Sequence, residues 1–151
     1  MRIELTLAES EPLIREVTEG GGEFRLFPKG TSMLPLLRQG KDSVALIKAE
    51  EGLRVGDIPL YKRENGDFVL HRIVKIEKDG NLTMCGDNQT ALERGIRAEQ
   101  VIAKTAAIYR GEKRVDTKKL SYRTYCFLWR CFFIRKVYFA LRKLKNRKKL
   151  G

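Results

Sequence analysis

Asp57-Ile58-Pro59-Leu60-Tyr61-Lys62-Arg63-Glu64-Asn65-Gly66-Asp67-Phe68-Val69-Leu70-His71-Arg72-Ile73-Val74-Lys75-Ile76-Glu77-Lys78-Asp79-Gly80-Asn81-Leu82-Thr83-Met84-Cys85 is the stretch that sets the fold class. Its runs Asp57–Lys62, Phe68–Glu77 and Asn81–Cys85 are rich in Val, Ile, Leu and aromatics. Between them stand Asn65-Gly66 and Asp79-Gly80, which supply the positive φ of tight hairpin turns. The three runs therefore predict an antiparallel meander with His71 inside it. Working outward, Glu23–Pro28, Ser43–Lys48 and Val101–Tyr109 have the same strand character, punctuated by Gly40-Lys41-Asp42 and Arg54–Gly56. Pro59 lacks a ladder donor, so its segment is expected at an edge or a bulge. The whole predicts a mainly β domain over about residues 23–112. Ahead of it, residues 3–7 suggest a short strand. Ser10 is the expected N-cap of a helix, with Pro12 in the first turn and Leu13, Ile14 and Val17 on its apolar face. Gly20-Gly21-Gly22 ends that helix as a flexible joint, making residues 1–22 an N-terminal strand and helix segment.

The chain has 151 residues, one domain's worth, with 42% hydrophobic and 33% charged residues. Its net charge of +12 is unevenly placed. Residues 1–117 hold all 19 acidic and 19 of the 31 basic residues, whereas 12 basic residues and no acid lie between Lys118 and Lys149. A neutral body and a cationic tail over residues 118–151 have different tasks. Three cysteines, Cys85, Cys126 and Cys131, form no disulfide framework and favour a reducing compartment. A single histidine argues against a His-based metal site, and no cofactor is expected. Met1–Leu13 has no apolar run, so neither a signal peptide nor an N-terminal membrane span is expected there.

Chemistry is suggested by three short segments. Gly30-Thr31-Ser32-Met33-Leu34-Pro35 sets a serine on a turn after a strand. Leu70-His71-Arg72-Ile73 puts the histidine in an apolar strand, and Gly86-Asp87-Asn88 follows another strand. A serine hydroxyl needs an adjacent base to become a nucleophile. Histidine can take that proton and return it to a leaving amine, and a carboxylate on its far nitrogen fixes the tautomer.

In that order, Gly-x-Ser-Met-x-Pro, Gly-Asp-Ile-x-x-Tyr, Leu-His-Arg-Ile and Gly-Asp-Asn resemble the motifs of type I signal peptidases. The similarity is greater to the branch of the endoplasmic reticulum, archaea and some Gram-positive bacteria, in which histidine replaces the general-base lysine. The resemblance covers about Phe24 to Val101. It implies Ser32 as nucleophile, His71 as general base and Asp87 as orienting acid, in a body of coiled antiparallel sheets shared with the self-cleaving repressor LexA. It also implies cleavage of a peptide or protein substrate after a small residue in a leader or signal-like segment. A catalytically silent peptide-binding module of the same fold and a LexA-like self-cleaving regulator are the alternatives. Against the latter, there is no DNA-reading helix pair and no Ala-Gly site before Ser32.

Two departures stand out. The membrane helix that usually precedes the serine motif has no counterpart here, and the position two residues before the nucleophile, often a hydroxyl in the oxyanion hole, is Gly30. The hole is then expected from backbone N–H groups around Ser32 with Thr31. Met33, Leu34 and Pro35 are expected to line the substrate groove, and Asp42 and Asp57 to be turn acids.

In the tail, Tyr122, Cys126, Trp129, Phe133, Val137, Ala140 and Leu144 form a charge-free stripe if residues 120–144 make one amphipathic helix. A spanning helix would bury Arg130, Arg135 and Lys136 at roughly 2.5–3.5 kcal/mol each. An interfacial helix lets them snorkel, and Lys145-Asn146-Arg147-Lys148-Lys149 adds about 1 kcal/mol per charge near anionic lipid. An anionic membrane surface, reached through residues 120–149, is thus favoured over an acidic protein partner and over nucleic acid, for which no reading motif is present. The expected location is cytoplasmic and peripheral at the membrane surface.

Overall fold

The structure is a computed structural model that describes residues 6–49, 52–116 and 119–147. It divides into two compact units, residues 1–115 and 116–151. The strand expected over residues 3–7 falls largely outside the described residues.

The first unit opens with helix α1 (Leu7–Glu19). Its N-cap is Thr6, not Ser10. Thr6 and Glu9 form a capping box, the hydroxyl accepting from Glu9 N–H at 3.2 Å and the Glu9 carboxylate accepting from Thr6 N–H at 2.8 Å. The helix therefore starts earlier than expected and carries Pro12 in its second turn. Its buried line is Ser10, Ile14 and Thr18, at i, i+4, i+8, while Leu13 is exposed.

Among the described residues nine strands follow: β1 (Phe24–Leu26), β2 (Asp42–Ile47), β3 (Pro59–Lys62), β4 (Phe68–Leu70), β5 (Arg72–Ile76), β6 (Leu82–Cys85), β7 (Glu93–Ile96), β8 (Val101–Arg110) and β9 (Lys113–Arg114). They make two antiparallel sheets. The first runs β1-β2-β8-β3-β4, with β9 paired to β8; the second runs β5-β6-β7. This agrees with the expected mainly β class, coiled antiparallel sheets with an N-terminal helix and basic C-terminal helical structure.

The meander expected around His71 is instead split between the sheets. Leu70 pairs with Leu60 in the first sheet and Arg72 pairs with Cys85 in the second, so the chain changes sheets at His71. The Asn65-Gly66 and Asp79-Gly80 hairpins are present, Gly66 at φ 90° and Gly80 at φ 86°. Of the expected edge or bulge, the structure has the bulge: strand β3 is interior, between β8 and β4, with its register shifted at Leu60-Tyr61. Pro59 is tolerated as its first residue, where β4 does not reach. A shared core of Tyr61, Ile73, Leu82, Met84 and Ile96 joins β3 to the second sheet. Helix α1 packs on β8, β2 and β1.

The second unit holds two helices in contact, α2 (Leu120–Arg130) and α3 (Phe132–Arg147), not one continuous helix. The break is at Cys131, which is extended at φ −83°, ψ 106°. It lets Trp129 stack on Tyr125, centroids 4.6 Å apart, and meet Tyr138 edge-on at 5.2 Å. A straight helix would separate residues 129 and 138 by about 13.5 Å along its axis. The expected stripe is therefore divided: Trp129 is buried, whereas Phe133, Val137 and Leu144 are exposed.

Candidate active site

Gly30 follows β1 and Pro28-Lys29, at φ 87°. Its N–H donates to Gln39 Oε1 at 2.8 Å, which ties down the turn carrying Thr31 and Ser32. Met33, Leu36 and Leu37 anchor the same turn in the core. On the other side of the site, Gly56 and Asp57 are bound to β5 by reciprocal backbone bonds to Ile73, each 2.8 Å. Asp57 closes its own turn by accepting from Arg54 N–H, and Asp42 closes another by holding the Arg38 side chain and N–H.

Gly86-Asp87-Asn88 joins the two sides. Asn88 N–H donates to the Ser32 carbonyl at 2.8 Å, and its side-chain amide donates to the Thr31 carbonyl at 3.1 Å. A Cβ on Gly86 would stand 2.6 Å from the Ser32 oxygen, so only glycine admits this approach. Asp87 accepts from Arg72 Nε and from a terminal Arg72 nitrogen, both at 2.8 Å, with both side chains fully buried. Arg72 also donates to the Gly56 carbonyl at 3.0 Å. One tripeptide thus grips the serine loop with its asparagine and the neighbour of the histidine with its aspartate.

Ser32 and His71 line a single cleft of about 280 Å³, together with Gly30, Met33, Leu37, Arg63, Phe68, Val69 and Leu70. Of the expected groove residues, Met33 lines it; Leu34 and Pro35 lie outside the lining, as does Thr31. Among the described residues Ser32 and His71 make no hydrogen bond to each other. Catalytic hydrogen bonds are often long in an empty site and tighten on substrate binding.

The resemblance implies Asp87 as the acid that orients His71. Asp87 is occupied by Arg72, and it acts on His71 through its charge. The atom facing His71 Nδ1 is the Tyr61 hydroxyl, at 3.4 Å, a weak bond by its length. Tyr61 in turn donates to Glu93 at 2.7 Å, and Glu93 accepts twice from Arg63, at 2.7 and 2.8 Å. Arg63 above all, then Tyr61, holds the Glu93 carboxyl below its ordinary range against the opposing effect of desolvation. Burial, reinforced by Glu93, raises the Tyr61 phenol, which stays protonated. Its one proton being spent on Glu93, the phenol offers His71 a lone pair. The network therefore assigns the ring proton to Nδ1 and leaves Nε2 as the basic nitrogen. Desolvation lowers the His71 pKa to about 4, with Glu93 and Asp87 pulling the other way. The imidazole is neutral across the physiological range.

Gly30 N–H is committed to Gln39, which removes it as an oxyanion donor. Among the described residues no acceptor is seen for the Ser32 N–H, nor for those of Thr31 and Met33 on either side of it. The described residues hold no group of three or more His, Cys, Asp or Glu side chains placed to bind a metal.

Sequence reasoning missed Glu93. Tyr61 was present in the Gly-Asp-Ile-x-x-Tyr motif without a role. No family model matches the chain, and no curated protein shows significant similarity to it. The resemblance to signal peptidases accordingly stands on the four motifs.

Proposed function

We propose that the chain is a serine endopeptidase of the signal-peptidase type, with Ser32 as nucleophile and His71 as general base. The observation that carries this is the Gly86-Asp87-Asn88 clamp, which ties the Ser32 turn and the Arg72 neighbour of His71 together at one cleft. Ser32 Oγ bonds to the scissile carbonyl carbon while its proton passes to His71 Nε2. The C–N bond then breaks, and the leaving amine takes that proton. Water attacks the resulting ester, giving one proton to His71, which returns it to Ser32 Oγ as the acid product leaves. The Ser32 N–H stabilises the oxyanion. Tyr61, backed by Glu93 and Arg63, holds the imidazole in the tautomer this needs.

The substrate is an extended peptide. Strand β4 is the terminal strand of the first sheet and its Val69 and Leu70 line the cleft, which suits a peptide added as a further strand. A leader or signal-like segment with a small residue before the cut is the proposed substrate class, and the proposed setting is the cytoplasmic face of a membrane.

The test is a mass-spectrometric cut-site profile on a library of extended peptides. The wild-type chain is expected to give cuts clustered after small residues, all absent with Ser32→Ala. A library left uncut by the wild type, or cut alike by both proteins, refutes the proposal and favours a silent peptide-binding module.

A further inference from the structure

The exposed apolar surface of the second unit is concentrated on one face of α3. Phe133 is 75% exposed, Leu141 60%, Leu144 55% and Val137 42%. At 3.6 residues per turn these four, with Ala140, occupy an arc of about 100°. Lys136, Lys143 and Arg147 border one side of that arc, Lys145 borders the other, and Arg142 stands opposite. On α2, Leu120 and Phe127 are exposed seven residues apart, with Arg123 and Arg130 on the same helix. Trp129, which the sequence places on the apolar stripe, is withdrawn between Tyr125 and Tyr138 and is not part of this face.

We infer that the α3 face docks on an anionic lipid surface, lying in the plane of the interface. Charge selects the occupant. No acidic residue follows Asp116, so the same face of a second copy laid against this one would set cations against cations. Nucleic acid would meet the charge but offer no apolar depth for Phe133 and Leu141. A lipid surface with anionic headgroups supplies both, burying the apolar arc by about 5–10 Å while the bordering lysines reach the headgroups. No helix among the described residues is long and apolar enough to cross a membrane. The 16 residues of α3 span only about 24 Å, against a hydrocarbon core of about 30 Å.

The test uses the full chain and vesicle co-sedimentation, with phosphatidylglycerol–phosphatidylcholine vesicles against pure phosphatidylcholine. The wild type is expected to sediment with the first and not the second, and to be released as salt rises, because screening is strong beyond about 10 Å at 0.1 M. The double variant Phe133→Ser/Leu141→Ser is expected to lose at least about ten-fold in partitioning, since two large apolar side chains no longer insert. Leu92→Ser, at an exposed apolar residue of the first unit, is expected to partition like the wild type, and circular dichroism checks that both variants are folded. Three results overturn the inference: no binding to anionic vesicles, equal partitioning of the double variant, or a wild-type dimer that the double variant dissociates. Cleavage activity is not read, so this inference and the peptidase proposal fail separately.

Discussion

His71→Gln is expected to lower kcat/KM for peptide cleavage by about 10³-fold or more while leaving the chain folded. Glutamine keeps a polar side chain at the sheet crossing but cannot take the Ser32 proton. Loss of a general base costs about 10²–10⁴-fold, and more where base and nucleophile act as a unit. The same argument fixes the pH profile of the wild type. Because desolvation lowers the His71 pKa to about 4, the base stays neutral as pH falls through the usual histidine range near 6.5. The acid limb of kcat/KM should therefore lie near pH 4. The folded-state pKa is depressed, so the associated stability is fully present above the unfolded value near 6.5 and is lost as pH falls through the folded value. Activity and stability must accordingly be recorded together below pH 6.5. An acid limb at pH 6.5 in a chain that remains folded would show that His71 is solvated or is not the base.

The second large effect is on stability. Asp87→Ala is expected to destabilise the first unit by about 3–5 kcal/mol, because it leaves the fully buried Arg72 without this counter-ion. A loss of that size lowers the urea midpoint by roughly 2–3 M for a protein of this size. Replacing both partners, Arg72→Met with Asp87→Leu, should cost less than the sum of the two single changes, since no buried charge is then left alone. The pair also sits where β5 leaves the sheet crossing, so Asp87→Ala displaces His71 and lowers activity in the fraction that stays folded. Urea unfolding of the four proteins measures the coupling. A cost below about 1 kcal/mol for either single change would mean that the pair does not hold the crossing.

These two residues illustrate what the sequence makes legible. Ser32, His71 and Asp87 each sit in a short contiguous motif, and the Asn65-Gly66 and Asp79-Gly80 turns announce their hairpins. The chemistry of Asp87 was harder to see, because Arg72, which binds it, is the next residue after the histidine and stands where the chain enters the second sheet. Glu93 lies in β7, whose Glu-Arg-Gly-Ile has one buried apolar residue and no alternation. Its strand is recognisable only from its pairing with β6. The crossing at His71 was hidden for a related reason: Phe68–Ile76 is one unbroken apolar-rich run, and the change of sheet appears only in the partners of Leu70 and Arg72. The Thr6–Glu9 capping box was legible by its spacing, but Ser10 ahead of Pro12 offered a competing start. The break at Cys131 has neither glycine nor proline to mark it, and the aromatic contacts of Trp129 accompany it at long range.

The covalent step proposed at Ser32 can be tested without knowing the natural substrate. An activated peptidyl ester, quenched in acid before the second half of the reaction, should leave its acyl group on the enzyme, and trypsin would release that site as the peptide Gly30–Arg38. The expected result is the acyl mass on Ser32 of that peptide, absent in Ser32→Ala and strongly reduced in His71→Gln. Ester turnover that continues undiminished in Ser32→Ala, or an acyl group found on another residue, would contradict a Ser32–His71 catalytic centre.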